Sequence, residues 1–187
     1  RRRNHTNIAE SMNEFSDRLL TEVPRKARKF KFRPATIFLV PLAAILFQVY
    51  LPRFFQYLSY LELPLLVTVY FALMRRQPIA GVFFGAGIGL AQDSLSPNQP
   101  LGMFGIVKTL VGYFAASVSM RFDVDNPLIQ FVLAFFFFFF HQFFYWVLSR
   151  ALLGLQLDFD PRQTFVLGLL NAAVAVPLFM LLDKMKE

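Results

Sequence analysis

The chain has 187 residues, of which 56% are hydrophobic and 25 are Phe, and its mean hydropathy is +0.49. A soluble domain is roughly 45–50% apolar by a similar count, so the excess is too large for one small aqueous core. The absence of cysteine excludes disulfides, thiolate metal sites and Cys nucleophiles. The net charge of +7 arises mostly from residues 1–33, which hold ten of the 19 Lys and Arg. Basic clusters flanking apolar spans are accounted for by membrane topology rather than by nucleic-acid binding.

Taken in chain order, residues 1–33 are expected to form a cytoplasmic basic arm, and residues 34–187 a six-helix transmembrane domain. Within the arm, Ile8, Met12, Phe15 and Leu19 fall on one stripe of a short amphipathic helix, which lies on a membrane surface or docks a cytoplasmic partner. Pro24 ends that helix. The basic residues from Arg25 to Arg33 then belong among anionic headgroups. No A-x-A-like cleavage site follows the first apolar run, which reads as a retained helix.

A hydrocarbon core of about 30 Å needs roughly 20 helical residues. Apolar runs of that order cover residues 35–51, 57–74, 78–95, 101–120, 127–148 and 163–182. Pro52-Arg53, Arg75-Arg76, Ser96-Pro97-Asn98-Gln99-Pro100, Arg121 and Asp183-Lys184 punctuate them. Glu62 and Pro64 near the outer end of the second run predict a kink or an interfacial start. With the N-terminus inside, the cytoplasmic segments carry fifteen Lys and Arg against three outside, with Lys108 in a span. Both termini are therefore expected in the cytoplasm. Tyr50, Tyr57, Tyr60, Tyr145 and Trp146 then form an outer aromatic belt.

Gly81, Gly85 and Gly89 recur every four residues, which puts small residues on one helix face and allows close backbone approach. The partner is a helix of the same chain or of a second molecule. No Gly-Lys-Ser/Thr follows and no strand precedes it, so a phosphate loop is not expected. Asp93 ends this span and Lys108 opens the next, at similar distances from the turn at Pro100-Leu101. Ionisable groups in a bilayer are costly and usually paired. The two are expected to approach each other directly or through a polar neighbour, as an ion pair pinning the hairpin, a ligand or proton site, or a partner contact. His141 and Gln142 in the fifth span and Asn171 in the sixth are expected to make interhelical hydrogen bonds. No Ser/His/acid set and no metal-ligand spacing appears, so neither an enzyme nor a cofactor is expected.

Gly89-Leu90-Ala91-Gln92-Asp93, a short polar turn, Leu101-Gly102, and Gly112-Tyr113 at the far end of the next span together resemble the MreD family. Leu63-Pro64-Leu65-Leu66-Val67 before a basic pair fits the same pattern, and the likeness spans residues 35–185. The basic arm departs from it. MreD proteins are rod shape-determining proteins of the bacterial cytoplasmic membrane. The resemblance implies an all-α polytopic bundle similar to the substrate-binding (S) components of ECF vitamin transporters. It implies a non-enzymatic scaffold in the elongation complex for peptidoglycan synthesis, without cofactors. The implied partners are MreC directly, and MreB, RodA and a class B penicillin-binding transpeptidase through the complex. The implied motif positions are Gly89, Leu90, Asp93, Leu101 and Gly102. The rival reading is an S-component-like binder of a vitamin-like solute, which would need a polar pocket built from residues such as Glu62, Asp93, Lys108, Gln142 and Asn171.

Overall fold

A computed structural model of the chain describes residues 34–96 and 100–185. The expected amphipathic helix of the basic arm lies outside the described residues, as do Pro97, Asn98 and Gln99 of the third loop. Among the described residues six α-helices follow in order: α1 Pro34–Tyr50, α2 Leu63–Arg75, α3 Pro78–Leu95, α4 Met103–Val118, α5 Pro127–Leu153 and α6 Pro161–Asp183. No strand occurs among the described residues.

Local chemistry sets the helix starts. Pro78, Pro127 and Pro161 each stand just inside a helix, where a missing N–H costs nothing. Asn126 accepts from the Leu128 N–H, and Asp160 from the Arg162 and Gln163 N–H groups, so α5 and α6 begin on side-chain caps. Gly154 ends α5 in the left-handed conformation at φ 64°.

Among the described residues four helical stretches are long and apolar enough to cross a membrane: Ala35–Arg53, Gln56–Arg75, Pro127–Leu153 and Pro161–Asp183. Met103–Val118 is apolar but shorter. The second of these stretches is broken. Two 3-10 turns, Leu51–Arg53 and Gln56–Tyr60, precede α2, and its regular helix starts only at Leu63. The kink expected from Glu62 and Pro64 is therefore present.

Helix α2 is the centre of the bundle. Every residue from Pro64 to Met74 is buried, and the helix touches each of the other five. A helix that is apolar on all sides belongs in a core, and α2 fills that place. Its Tyr70 hydroxyl donates to Asp183 at the end of α6 (2.8 Å). The Phe run of α5 is divided between environments: Phe137 and Phe138 are buried, Phe136 is half exposed, and Phe135 packs on Phe165 of α6.

Candidate functional site

Helices α3 and α4 form an antiparallel hairpin in close backbone contact. A methyl added at Gly81, Gly85 or Gly89 would land on the carbonyl of Gly112, Lys108 or Phe104 respectively. Each step of four residues along α3 thus matches a step of four back along α4, in one register. The glycine stripe packs within the chain, the first of the two partners the sequence left open. A methyl on Gly112 would meet the Gly81 carbonyl in return.

The open end of this hairpin is closed by Asp93. Its carboxylate accepts from the N–H groups of Gly102 (3.0 Å), Phe104 (3.2 Å) and Gly105 (2.9 Å). These are among the first N–H groups of α4, which have no partner inside the helix. A buried anion there meets both the free donors and the positive end of the helix dipole. Gly102 makes this possible by adopting φ 95° at the N-cap, a conformation that favours glycine. Its expected role in helix packing is corrected: nothing lies within 4 Å of a methyl built there. Leu101, also expected to pack, is 80% exposed, because it precedes the first turn of α4 and lies outside the helix-to-helix contact. Leu90 is half exposed as well, although its side chain lies over Gly105.

The expected approach of Asp93 and Lys108 is not a direct ion pair. The register places Lys108 level with Gly85, two helical turns from Asp93, which is about 12 Å along the axis. The turn is centred nearer Ser96 than Pro100-Leu101, and this shift is the reason. Side chains on a helix tilt toward its N-terminus, so Lys108 reaches back toward the α4 start. Its Nζ lies 4.4 Å from the centroid of the Phe104 ring and 3.4 Å from His141 Nε2 on α5. Glu62 and Asp93 are the acidic groups nearest in effect to this lysine. Lys108 is fully buried, and His141 nearly so.

Around this lysine, Phe104 stacks on His141 (6.0 Å, 8°) and on Tyr145 (5.3 Å, 22°). The Lys108 ammonium can donate to His141 Nε2 in the tautomer that carries its ring proton on Nδ1. That Nδ1 is buried with no partner, as is Glu62 Oε2. The Glu62 backbone N–H donates to Asn171 Oδ1 (2.8 Å), and Asn171 Nδ2 donates to the carbonyls of Tyr60 and Leu167. Asn171 therefore ties α6 to the break before α2, the interhelical role expected of it. Gln142 lies apart. It is rotated one residue from His141 and lines a recess of about 260 Å³ against the loop into α6.

The structure thus unites Glu62, Asp93, Lys108 and His141 at one end of the bundle. Sequence reasoning missed Phe104 and Gly105, which supply the ring and an N–H. Their one signal was position: both follow Gly102 in the first turn of α4. Among the described residues no group of His, Cys, Asp and Glu is arranged to hold a metal ion.

No family model matches this chain, and no curated protein or solved structure is detectably similar to it.

Proposed function

We propose that the chain is an MreD-like scaffold of the bacterial cytoplasmic membrane, with six spans and both termini in the cytoplasm. The observation that carries this reading is the Asp93 cap. The short elements on which the resemblance rests, Gly89 through Asp93 and Leu101-Gly102, meet in one structural unit: a glycine-packed hairpin sealed by a carboxylate. Residues that look unrelated along the chain have a shared reason to occur together. Helices α3 and α4, of 18 and 16 residues, rise about 27 and 24 Å. The first lies at the short end of the bilayer range and the second just below it, so the six-span reading has α3 and α4 cross as a short, closely packed pair.

In this reading MreC binds by helix packing, with MreB, RodA and the class B transpeptidase joined through the complex. Helices in lipid associate through close packing of small residues. A shallow groove lined by Ala86, Leu90, Gly102, Gly105 and Ile106 offers such a surface. The test is purification of the tagged chain from a rod-shaped bacterium with its partners identified by mass. Recovery of MreC in fixed ratio is the expected result.

A second reading, an S-component-like binder of a small solute, draws on the half-buried Glu62 and the buried Lys108 and His141, with two buried unpartnered polar atoms. Recovery of ATPase transport subunits, or of a bound vitamin, would overturn the scaffold and favour this reading.

A further inference from the structure

On the opposite side of α3 from this groove's α4 wall, a larger groove of about 620 Å³ runs between α1 and α3. Its lining is apolar: Pro41, Leu42 and Ile45 from α1 and Phe83, Gly87 and Ala91 from α3, with Arg75 as its single charged residue. Phe38 and Phe83 stand as walls, 75% and 72% exposed. A methyl built on Gly87 meets nothing within 4 Å, so that floor position is open.

Two physical features define what fits. The first is length. The α3 lining runs from Ala80 to Ala91, about 16 Å of helix rise, or close to half of a hydrocarbon core of about 30 Å. The groove therefore opens at the Arg75 end of the bundle and closes at Ala91, about 20 Å along α3 and one turn short of its far end. The second is charge. Arg75 ends α2 with its guanidinium 5.9 Å from the Phe84 ring centroid, and its Nε is buried with no hydrogen-bond partner. The neighbouring Arg76 Nε is in the same state. The C-terminal carbonyls of α2 offset this charge only in part. A guanidinium at a membrane boundary matches phosphate in shape and charge.

A partner transmembrane helix would run on past the closed end at Ala91, and an apolar one brings no anion to Arg75. A free anion would leave the apolar length unfilled. We propose that the α1/α3 groove binds one anionic phospholipid of the leaflet on the Arg75 side, with the phosphate at Arg75 and an acyl chain between Phe38 and Phe83. The inference rests on the membrane-spanning reading of α1 and α2, which places Arg75 on the cytoplasmic side. It does not need the MreC partnership.

The test uses the full chain, delipidated in detergent, with phosphatidylglycerol or phosphatidylcholine added and bound lipids counted by native mass spectrometry. One phosphatidylglycerol is expected to be retained in preference to phosphatidylcholine. Arg75→Gln should weaken that binding roughly five-fold, the effect of one surface arginine, and Arg75→Lys should restore part of it. Gly87→Trp should abolish retention of both lipids, with an unchanged helical circular dichroism spectrum showing that the fold persists. Arg121→Gln, in an exposed loop elsewhere, should change nothing.

Equal retention of the two lipids, or binding indifferent to both Arg75→Gln and Gly87→Trp, overturns the proposal. So does displacement of phosphatidylglycerol by inorganic phosphate alone, or a Phe83→Cys crosslink in native membranes to another protein's helix. Side-specific labelling of Gln77→Cys separates the two readings. Labelling from outside would sink the six-span topology, while a preference lost in Arg75→Gln would still support the site.

Discussion

Asp93 and Gly105 are joined by a hydrogen bond of 2.9 Å from the Gly105 N–H to Asp93 Oδ2, across the turn that links α3 to α4. With the Gly102 and Phe104 bonds, it makes one carboxylate the closure of the hairpin. Asp93→Ala leaves the Phe104 and Gly105 donors buried without an acceptor, at a cost of about 1–3 kcal/mol. Asp93→Asn keeps one carbonyl acceptor and should cost less. Thermal unfolding of the purified variants in one detergent would rank them, and an unchanged Asp93→Ala midpoint would refute the cap as a stabilising element.

The glycines of α3 are predicted to differ sharply. Gly85→Ala drives a methyl into the Lys108 carbonyl, which is backbone and cannot rotate away. Overpacking of this kind costs about 1–3 kcal/mol. Gly87→Ala points into open space and should stay within about 0.5 kcal/mol of the parent. Equal midpoints for the two variants would contradict the register described above.

Lys108 and His141 should behave as a coupled pair. His141→Phe preserves a ring to stack on Phe104 but leaves the buried ammonium without its acceptor at 3.4 Å. The expected loss is about 1–3 kcal/mol. Adding Lys108→Met removes the stranded charge, and replacing a buried ionic group by an apolar one of similar volume is often neutral. The double variant should thus be more stable than His141→Phe alone. Additive losses in a double-mutant cycle would show that the two side chains do not interact.

Asn171→Leu should loosen the break before α2 rather than α6 itself. The substitution removes the acceptor of the Glu62 N–H and the donor to the Tyr60 carbonyl, while the helix around residue 171 keeps its own backbone bonds. Hydrogen exchange is expected to rise at residues 60–63 with little change across α6. Uniform change along α6 would argue against the tie.

The topology is open to a direct check, because the chain has no cysteine and any introduced one is unique. Asp125→Cys, in the exposed loop between α4 and α5, should react with an impermeant thiol reagent only from the cytoplasmic side. Asp158→Cys, in the exposed loop between α5 and α6, should react only from outside. The reverse pattern would invert the bundle.

Much of the helical layout was legible because apolar length and Pro or Arg punctuation are local properties. The run at 78–95 and the observed α3 share both ends, α5 extends past the end of its run at 148 to Leu153, and α6 is within two residues of its run at either end. The second span was legible in part. Glu62 and Pro64 marked a break, but the burial of α2 on every side depends on five other helices and leaves no periodic trace in a uniformly apolar sequence.

The site divides the same way. Sequence alone determined that the chain is rich in membrane-length apolar helix, that Gly81, Gly85 and Gly89 share one face, and that Asp93, Lys108, His141 and Asn171 are polar residues in apolar surroundings. Each follows from composition and the 3.6-residue repeat. Only the tertiary structure decided their partners. A turn centred a few residues earlier than Pro100 moved Lys108 two helical turns from Asp93, gave Asp93 to the N–H groups of α4, and turned Lys108 toward Phe104 and His141. Hairpin register is set by where backbones can approach most closely, and here that is where the glycines of α3 meet the carbonyls of α4.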